Sequence, residues 1–236
     1  MTVSLPGRLG LRDRELVSIV GAGGKTTLLG LLGNDLAATG GRVVLTTTTR
    51  MATNQITEPV CWSDDPARVE EQIRAGVALF VLGGAVPGKV TGLVSESVDV
   101  LFAETSADFV IVEADGAGPW LIKAPDLHEP VIPKTSTSVV IVVGAGALGR
   151  PLGEVAHRIG VAEALTGLGA HDPVTPESAA KILTHDRGGL KGIPSRARVV
   201  MAVSNVTPDN EVAVAELAEI LDRSPRVDRC VTIPRL

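Results

Sequence analysis

One segment of the chain combines the residue types that bind phosphate: Gly21-Ala22-Gly23-Gly24-Lys25-Thr26-Thr27. Its glycines let backbone N–H groups approach an anion, its lysine adds a full positive charge, and the hydroxyl of Thr26 is a ligand for Mg²⁺. Apolar runs at 16–20 and 28–32 flank the segment, so it is predicted to turn from a buried strand into a helix, whose N-terminus also attracts anions. We therefore expect this segment to bind ATP or another nucleoside triphosphate together with Mg²⁺.

The segment is the short form of a phosphate-binding loop, Gly-x-x-Gly-Lys-Thr. The longer form would require a glycine at position 19, where this chain has Ile19. The alternative interpretation is a tight turn between a strand and a helix in which the lysine has no chemical role.

Two carboxylates close a later apolar run, 109–114: Glu113 lies near its end and Asp115 follows it. Carboxylates at the end of a buried strand are costly to bury without a partner, and Mg²⁺ beside nucleotide phosphates is such a partner. We expect one of the two to hold the metal, directly or through water, while Asp115 positions the attacking group and Lys25 neutralises the phosphates. The alternative is a strand-end turn with a solvated Asp-Gly pair.

Threonines at 46–49 close another apolar run and precede Arg50. The carboxyl ends of parallel strands meet at one edge of a sheet, so the hydroxyl of Thr47 is predicted to complete the magnesium shell and Arg50 to face phosphate or substrate. Four β-favouring threonines are equally typical of an ordinary strand end.

Candidates for contact with a second substrate or a partner lie in two later segments. The proline-rich stretch 119–133 predicts a loop with fixed turns, and 153–168 is predicted to be helical. The alternative for both segments is solvated surface charge. The candidate residues are Lys123, His128, Glu129, His157 and Arg158.

Two further motifs are incomplete. Residues 144–149 match a dinucleotide-binding fingerprint, but Pro151 disfavours the helix that should follow, and no acid closes a strand about 20 residues later. Asn205 stands where a guanine-reading Asn-Lys-x-Asp motif would begin, yet Val206 replaces its lysine and Pro208 its acid. Neither a dinucleotide nor a guanine preference is predicted.

The remaining pattern indicates an α/β fold. Apolar runs that do not alternate predict strands buried on both faces, with helices between them, and thus a three-layer P-loop NTPase-like sandwich with a mostly parallel central sheet. We expect 1–236 to form a single P-loop nucleotide-binding domain; a smaller C-terminal part from about residue 150 is the alternative. The predicted strands are 42–47, 77–82, 109–114, 138–143, 198–203 and 229–233, the predicted helices include 66–75, 98–105, 153–168, 176–183 and 210–221, and 83–89 and 188–192 are predicted loops.

Composition excludes several classes of partner. A net charge of −5, without a long basic run, disfavours binding to a nucleic-acid backbone, and two tryptophans, three phenylalanines and no tyrosine provide few stacking platforms for bases. The two cysteines lie far apart, which favours reduced thiols in a cytoplasmic protein. No run approaches the ~20 apolar residues of a membrane helix, so no membrane partner is expected.

The motifs together resemble those of the YqeC family. The matching segments are Val20–Thr27, Val44–Met51, Val112–Ala117 and Lys123–Pro133, followed by His157-Arg158 and Gly188–Gly192. The resemblance runs from about residue 15 to 205. Arg50 stands where the pattern leads us to expect lysine, which keeps the charge but changes the donor geometry. The phosphate loop alone also resembles the short form in Mur ligases.

The resemblance implies a nucleotide-binding accessory protein for the maturation of selenium-dependent molybdenum hydroxylases, with such an enzyme or its cofactor precursor as the partner. A magnesium-dependent NTPase or phosphotransferase is the leading hypothesis. One alternative is a nucleotide-gated chaperone or switch with little turnover. The other is a Mur-ligase-like ligase or kinase that acts on a small acceptor.

Overall fold

The computed structural model describes residues 4–57 and 59–234. The helices are α1 (Leu5–Leu9), α2 (Lys25–Ala38), α3 (Pro66–Glu70), α4 (Ser95–Glu104), α5 (Leu152–Val155), α6 (Ile159–Thr166), α7 (Pro176–Leu183) and α8 (Glu211–Asp222). The strands are β1 (Glu15–Gly21), β2 (Val43–Thr47), β3 (Arg50–Ala52), β4 (Val60–Cys61), β5 (Ala78–Val81), β6 (Gly84–Val86), β7 (Lys89–Thr91), β8 (Phe109–Glu113), β9 (Ile122–Lys123), β10 (Ser138–Gly144), β11 (Ala156–His157), β12 (Arg198–Val206) and β13 (Arg229–Pro234).

An eight-stranded sheet forms the centre, in the order β13-β12-β10-β1-β8-β2-β5-β4, and each of its strand pairs is parallel. Every residue of β1, β2, β8 and β10 is buried, which is why their apolar runs do not alternate. The predicted α/β fold with a mostly parallel central sheet is confirmed.

Two apolar cores lie on the two faces of this sheet. Along β1, Leu16 and Val20 belong to one core and Val17 and Ile19 to the other, because successive side chains of a strand point to opposite faces. Buried leucines of α2 fill the second core, whereas buried residues of α4, α7 and α8 fill the first. The result is the predicted three-layer arrangement, with the loop between β1 and α2 at the carboxyl edge of the sheet.

Two predicted helices differ from the structure. The stretch 153–168 is interrupted, because His157 pairs in β11 with β9 and Arg158 has a left-handed φ of 67° before α6 begins. The helix predicted for 66–75 ends at Glu70; Ile73 still packs into the core, so the apolar spacing continues beyond the helix. Both predictions of a longer helix are wrong.

The predicted loop 83–89 is largely a hairpin. It contributes β6 and the start of β7, and β7 also pairs with β3 to form a three-stranded antiparallel sheet. In this sheet Arg50 lies opposite Thr91, and Ala52 lies opposite Lys89. The small sheet therefore connects the end of β2 to a basic side chain distant in sequence.

The short helix α1 lies against the edge strand β13. The guanidinium of Arg8 donates to the carbonyl of Thr232, and that of Arg229 donates to the carbonyl of Arg8 at 3.0 Å. Among the described residues, none of the helices is both long enough and apolar enough to cross a bilayer.

Candidate functional site

The glycine-rich segment forms the predicted turn between β1 and α2. Its φ angles are 95° at Gly21, 84° at Gly23 and 124° at Gly24, a region that favours glycine. A Cβ on Gly21 would lie 2.2 Å from the carbonyl oxygen of Val142, and one on Gly23 would lie 2.5 Å from the nitrogen of Gly144. The loop is therefore packed directly on the backbone of β10, with no room for larger residues at these two positions.

Lys25 begins α2 and has its ammonium held inside the loop. The side chain is 5% exposed; Nζ donates to the carbonyl of Gly21 at 2.7 Å and lies 3.2 Å from Oδ1 of Asp115. Among the described residues no side chain caps the first turn of α2. Unpaired N–H groups at a helix N-terminus and a neighbouring ammonium are together suited to a multiply charged anion.

Glu113 and Thr26 form a pair of oxygen ligands beside the loop. The hydroxyl of Thr26 donates to Oε2 of Glu113 at 2.7 Å, and Glu113 lies in register with Ile19 of β1 and Thr47 of β2. Burial raises the pKa of Glu113, while the charge of Lys25 and the hydrogen bond from Thr26 oppose that rise. A hydroxyl and a carboxylate at hydrogen-bonding distance can reach the same ion, and both are hard oxygen ligands of the type Mg²⁺ takes.

Asp115 lies between two buried lysines. Its Oδ2 accepts a hydrogen bond from the N–H of Gly21 at 3.0 Å and lies 3.1 Å from Nζ of Lys123, while Oδ1 faces Lys25. Asp115 is only 2% exposed. Two cationic partners and a backbone donor hold this buried carboxylate in place, as a group that positions reactants must be held.

The charged contacts continue outward from Lys123. Its ammonium donates to the carbonyl of Gly116 at 2.5 Å and lies 2.9 Å from Oε2 of Glu129, which is 3.7 Å from Arg158. Burial alone would raise the pKa of Glu129, but the hydrogen bond and charge of Lys123, together with Arg158, lower it. Arg158 also lies 3.4 Å from Asp126. Alternating charges thus connect the glycine loop 21–27 to the surface.

Thr47 uses its hydroxyl within the sheet. It donates to the carbonyl of Glu113 at 2.8 Å and lies 3.2 Å from the hydroxyl of Thr49. These contacts fix the end of β2 against β8 beside the carboxylate. The predicted role of Thr47 in a magnesium shell stays a prediction.

A cleft of about 570 Å³ opens between the glycine loop 21–27 and the small antiparallel sheet. Of the residues predicted to face a substrate or partner, Arg50 and His157 line it. Lys123 is buried behind it, Glu129 and Arg158 continue the charged contacts, and His128 is exposed. The lining residues are Gly23 to Thr27, Arg50, Met51, Ala52, Gln55, Lys89, Glu113, Gly116, Ala117, Gly118, Trp120 and His157.

Sequence reasoning missed Lys89, Gln55 and Trp120 as lining residues. Lys89 reaches the cleft because β6 and β7 form a hairpin, and the Pro87-Gly88 pair between two short β-favouring runs was a signal for that turn. Gln55 and Trp120 lie in short connections whose position depends on the tertiary fold, and no local pattern indicated them.

His157 contributes an imidazole with a lowered pKa to the cleft. Burial, followed by the positive charges of Lys123 and Arg158, lowers its pKa. Its Nδ1 is buried, without a hydrogen-bond partner among the described residues. β11, which interrupts the predicted helix 153–168, holds this ring next to β9.

A metal held by protein ligands alone does not fit this site. The described residues contain no group of three or more His, Cys, Asp or Glu side chains placed to share an ion. Mg²⁺ bound to nucleotide phosphates needs only one or two protein oxygens, since it retains several waters. Thr26 and Glu113 match that smaller requirement.

Comparison with known proteins gives two matches. The family model described as YqeC protein matches residues 17–160, a span that contains the glycine loop 21–27, both strand-end carboxylates and the His157-Arg158 pair. The uncharacterized protein YqeC of Escherichia coli (strain K12) is 34% identical over 220 residues, which are 91% of this chain and 86% of that protein.

Proposed function

Since this chain belongs to the YqeC family, we propose that the family fold serves here to bind a magnesium nucleoside triphosphate and to hydrolyse it or transfer its terminal phosphoryl group. The observation that carries the proposal is the convergence of Lys25, Thr26, Glu113 and Asp115 on one glycine loop at the carboxyl edge of the sheet. Ligands of open α/β sheets bind at this edge.

The loop would receive the phosphates. Backbone N–H groups of residues 23–26 and the N-terminus of α2 would surround the phosphate oxygens, and Lys25 would exchange its contacts with Gly21 and Asp115 for them. The N–H of Ala22, predicted to join them, instead donates to the carbonyl of Val142 at 2.9 Å. Positioning and charge neutralisation supply most of the catalysis in phosphoryl transfer.

Thr26 and Glu113 would hold Mg²⁺, which neutralises charge on the phosphates when bound. Asp115 would then orient the attacking water or acceptor hydroxyl, because Lys123 keeps its carboxylate in place when Lys25 turns to phosphate. Arg50 and Lys89, on the small antiparallel sheet, form the opposite wall of the cleft, where an anionic acceptor would lie, and His157 also lines this cleft.

An accessory role in the maturation of selenium-dependent molybdenum hydroxylases is the biological part of the proposal. Its support is the family membership together with the motif resemblance, and its partner would be such an enzyme or its cofactor precursor in the cytoplasm. The test is capture of a purified molybdenum hydroxylase by this chain, with and without Mg-nucleotide. Equal amounts of captured enzyme under the two conditions would count against a nucleotide-dependent accessory role.

A nucleotide-gated switch is the second candidate. The observation that favours it is the line of alternating charges from Lys25 through Asp115, Lys123 and Glu129 to Arg158, which would transmit phosphate binding to the loop 116–133. Nucleotide-dependent partner binding with negligible turnover would support the switch over the enzyme. A phosphorylated or adenylated small molecule in a metabolite screen would instead support a ligase or kinase.

The direct test is magnesium-dependent nucleotide turnover by the purified chain. We expect Lys25→Ala and Asp115→Asn to lose most of the turnover, and the exposed Lys134→Ala to retain it. Thermal unfolding of each variant checks that the fold is intact. Equal turnover in all of these proteins would refute the assignment of the site.

A further inference from the structure

A second cavity lies beside the phosphate loop, on the side away from the antiparallel sheet. Its volume is about 190 Å³. It shares Gly24 and Thr27 with the cleft, so the loop and the first turn of α2 separate the two spaces. The lining residues are Gly24, Thr27, Leu28, Leu31, Ser204, Asn205, Ile233 and Pro234.

The walls of this cavity are mainly apolar. Leu28 is 3% exposed and packs in the core, and Ile233 packs against the same core from the end of β13. Leu31, one turn further along α2, lines the cavity and is half-buried. Because polar phosphates gain nothing from such walls, the cavity is suited to an apolar, flat part of a ligand whose charged part lies on the loop.

One amide side chain lies at the edge of the cavity. Asn205 has a left-handed φ of 57°, at an irregularity in the pairing of β12 with β13. The preceding hydroxyl, of Ser204, donates to the carbonyl of Gly23 in the phosphate loop. A Cβ on Gly24 would lie 3.9 Å from Nδ2 of Asn205. The end of β12 is therefore fixed to the phosphate loop, with the Asn205 amide close to it.

We propose that this cavity binds the adenine of ATP, with the Asn205 amide paired to the base edge. An asparagine amide matches the donor and acceptor at N6 and N7 of adenine. Guanine reading by an asparagine at this position also needs the lysine and the acid of the Asn-Lys-x-Asp motif, which Val206 and Pro208 replace here. The described lining residues carry no charged side chain. The inference rests on the proposed nucleotide function and adds the identity of the base and the direction of the nucleotide.

The nucleotide would then extend from the cavity across the loop. Its base would lie between α2 and the ends of β12 and β13, its phosphates would pass over Gly24 and Thr27, and its terminal phosphate would point to Glu113 and the cleft. This direction leaves the wall formed by Arg50 and Lys89 free for an acceptor.

The test measures dissociation constants by calorimetry in the presence of Mg²⁺, for ATP, GTP and inorganic tripolyphosphate. Tripolyphosphate uses the loop alone, so we expect ATP to bind at least about tenfold more tightly than tripolyphosphate and than GTP. Leu31→Glu should weaken the binding of ATP by about tenfold or more and leave the dissociation constant of tripolyphosphate unchanged. The matched control is Val212→Glu on α8, at a position that is 83% exposed. This variant should change neither of the two dissociation constants.

Asn205→Gly tests the amide separately. Glycine retains the left-handed backbone, so this variant removes the side chain without strain and should bring the affinities for ATP and GTP together. Tripolyphosphate affinity should not change.

Several outcomes would overturn the inference. Tripolyphosphate binding as tightly as ATP, with loss of both in Lys25→Ala, would refute the adenine cavity and leave the phosphate site intact. Equal weakening of ATP and tripolyphosphate by Leu31→Glu, or GTP binding as tight as that of ATP, would also refute it. Failure of every ligand to bind would refute the nucleotide function itself and the cavity with it.

Discussion

At Asp115 one carboxylate is shared by two buried ammonium groups, and a second carboxylate, Glu129, pairs with the outer one. Lys25, Asp115, Lys123 and Glu129 thus form an alternating series of charges without net charge. Burial of ions is tolerable only when such partners are present, because desolvation of a single unpaired charge costs several kcal/mol. Binding of phosphate to Lys25 would add negative charge at the buried end of this series and so change its charge balance.

Removal of Lys123 should be strongly destabilising. Lys123→Met leaves Asp115 without its second cation and Glu129 without its closest one, and we expect the free energy of unfolding to fall by about 3 kcal/mol or more. Urea unfolding measures the loss. The double variant Lys123→Met/Glu129→Gln should recover part of it, since one uncompensated carboxylate is removed. A loss no larger than that of the exposed Lys134→Met would contradict this account.

At the scale of elements, the loop 21–27 depends on glycine at the positions where it packs against β10. Gly23→Ala places a Cβ 2.5 Å from the nitrogen of Gly144 on a backbone with a φ of 84°, so the loop must move. We expect loss of tripolyphosphate binding together with a lower unfolding midpoint. Calorimetry and thermal unfolding measure the two effects.

Gly30 provides the matched control within α2. A Cβ there meets nothing within 4 Å, and alanine favours a helix interior by about 0.5–1 kcal/mol over glycine. Gly30→Ala should therefore raise the unfolding midpoint and retain ligand binding. If Gly23→Ala and Gly30→Ala had similar unfolding midpoints and similar tripolyphosphate binding, the close packing of the loop on β10 would not be what determines its conformation.

Asp108, just before β8, pairs with Arg42, just before β2, and this pair makes the free energy of unfolding depend on pH. Hydrogen bonds from the Arg42 guanidinium, at 2.7 and 3.0 Å, lower its pKa. A carboxyl whose pKa is lowered by folding stabilises the protein above its unfolded pKa, about 3.9, and loses that contribution as the pH falls through the folded value. Asp108→Asn should therefore be less stable than the parent chain at pH 7, and the difference should shrink on acidification. Urea unfolding over a pH series measures it; a constant difference would contradict the ion-pair explanation.

The long elements could be predicted from the sequence, and the short ones could not. Apolar runs predicted the major strands of the central sheet, and the strand–glycine–helix order predicted the turn between β1 and α2. The strands β9 and β11 have two residues each, too few for any periodicity to appear. Their pairing nevertheless decides that Lys123 is buried and that His157 reaches the cleft. The hairpin that carries Lys89 could not be predicted in the same way, because its glycines are equally typical of a loop.

At the scale of the whole molecule, ligand binding should be visible as stability. If Mg-ATP binds only the folded chain, a concentration 100 times its Kd adds about 2.7 kcal/mol to the free energy of unfolding. We expect a rise in the thermal midpoint that requires Mg²⁺ and disappears in Lys25→Ala. An unchanged midpoint at saturating Mg-ATP would contradict the nucleotide proposal.

The position of α1 against β13 has a consequence for the solution behaviour of the chain. A parallel sheet that ends in an exposed strand offers unpaired backbone groups on which another molecule can add a strand, a common route to aggregation. Here Arg8 occupies the carbonyl of Thr232 on that strand, and Arg229 binds α1 in return. At the opposite edge, β4 is only two residues long and presents little to pair with. Both edges of the sheet are thereby protected against edge-to-edge association. The edge strand β13 is protected by the helix α1, and the edge strand β4 by its short length.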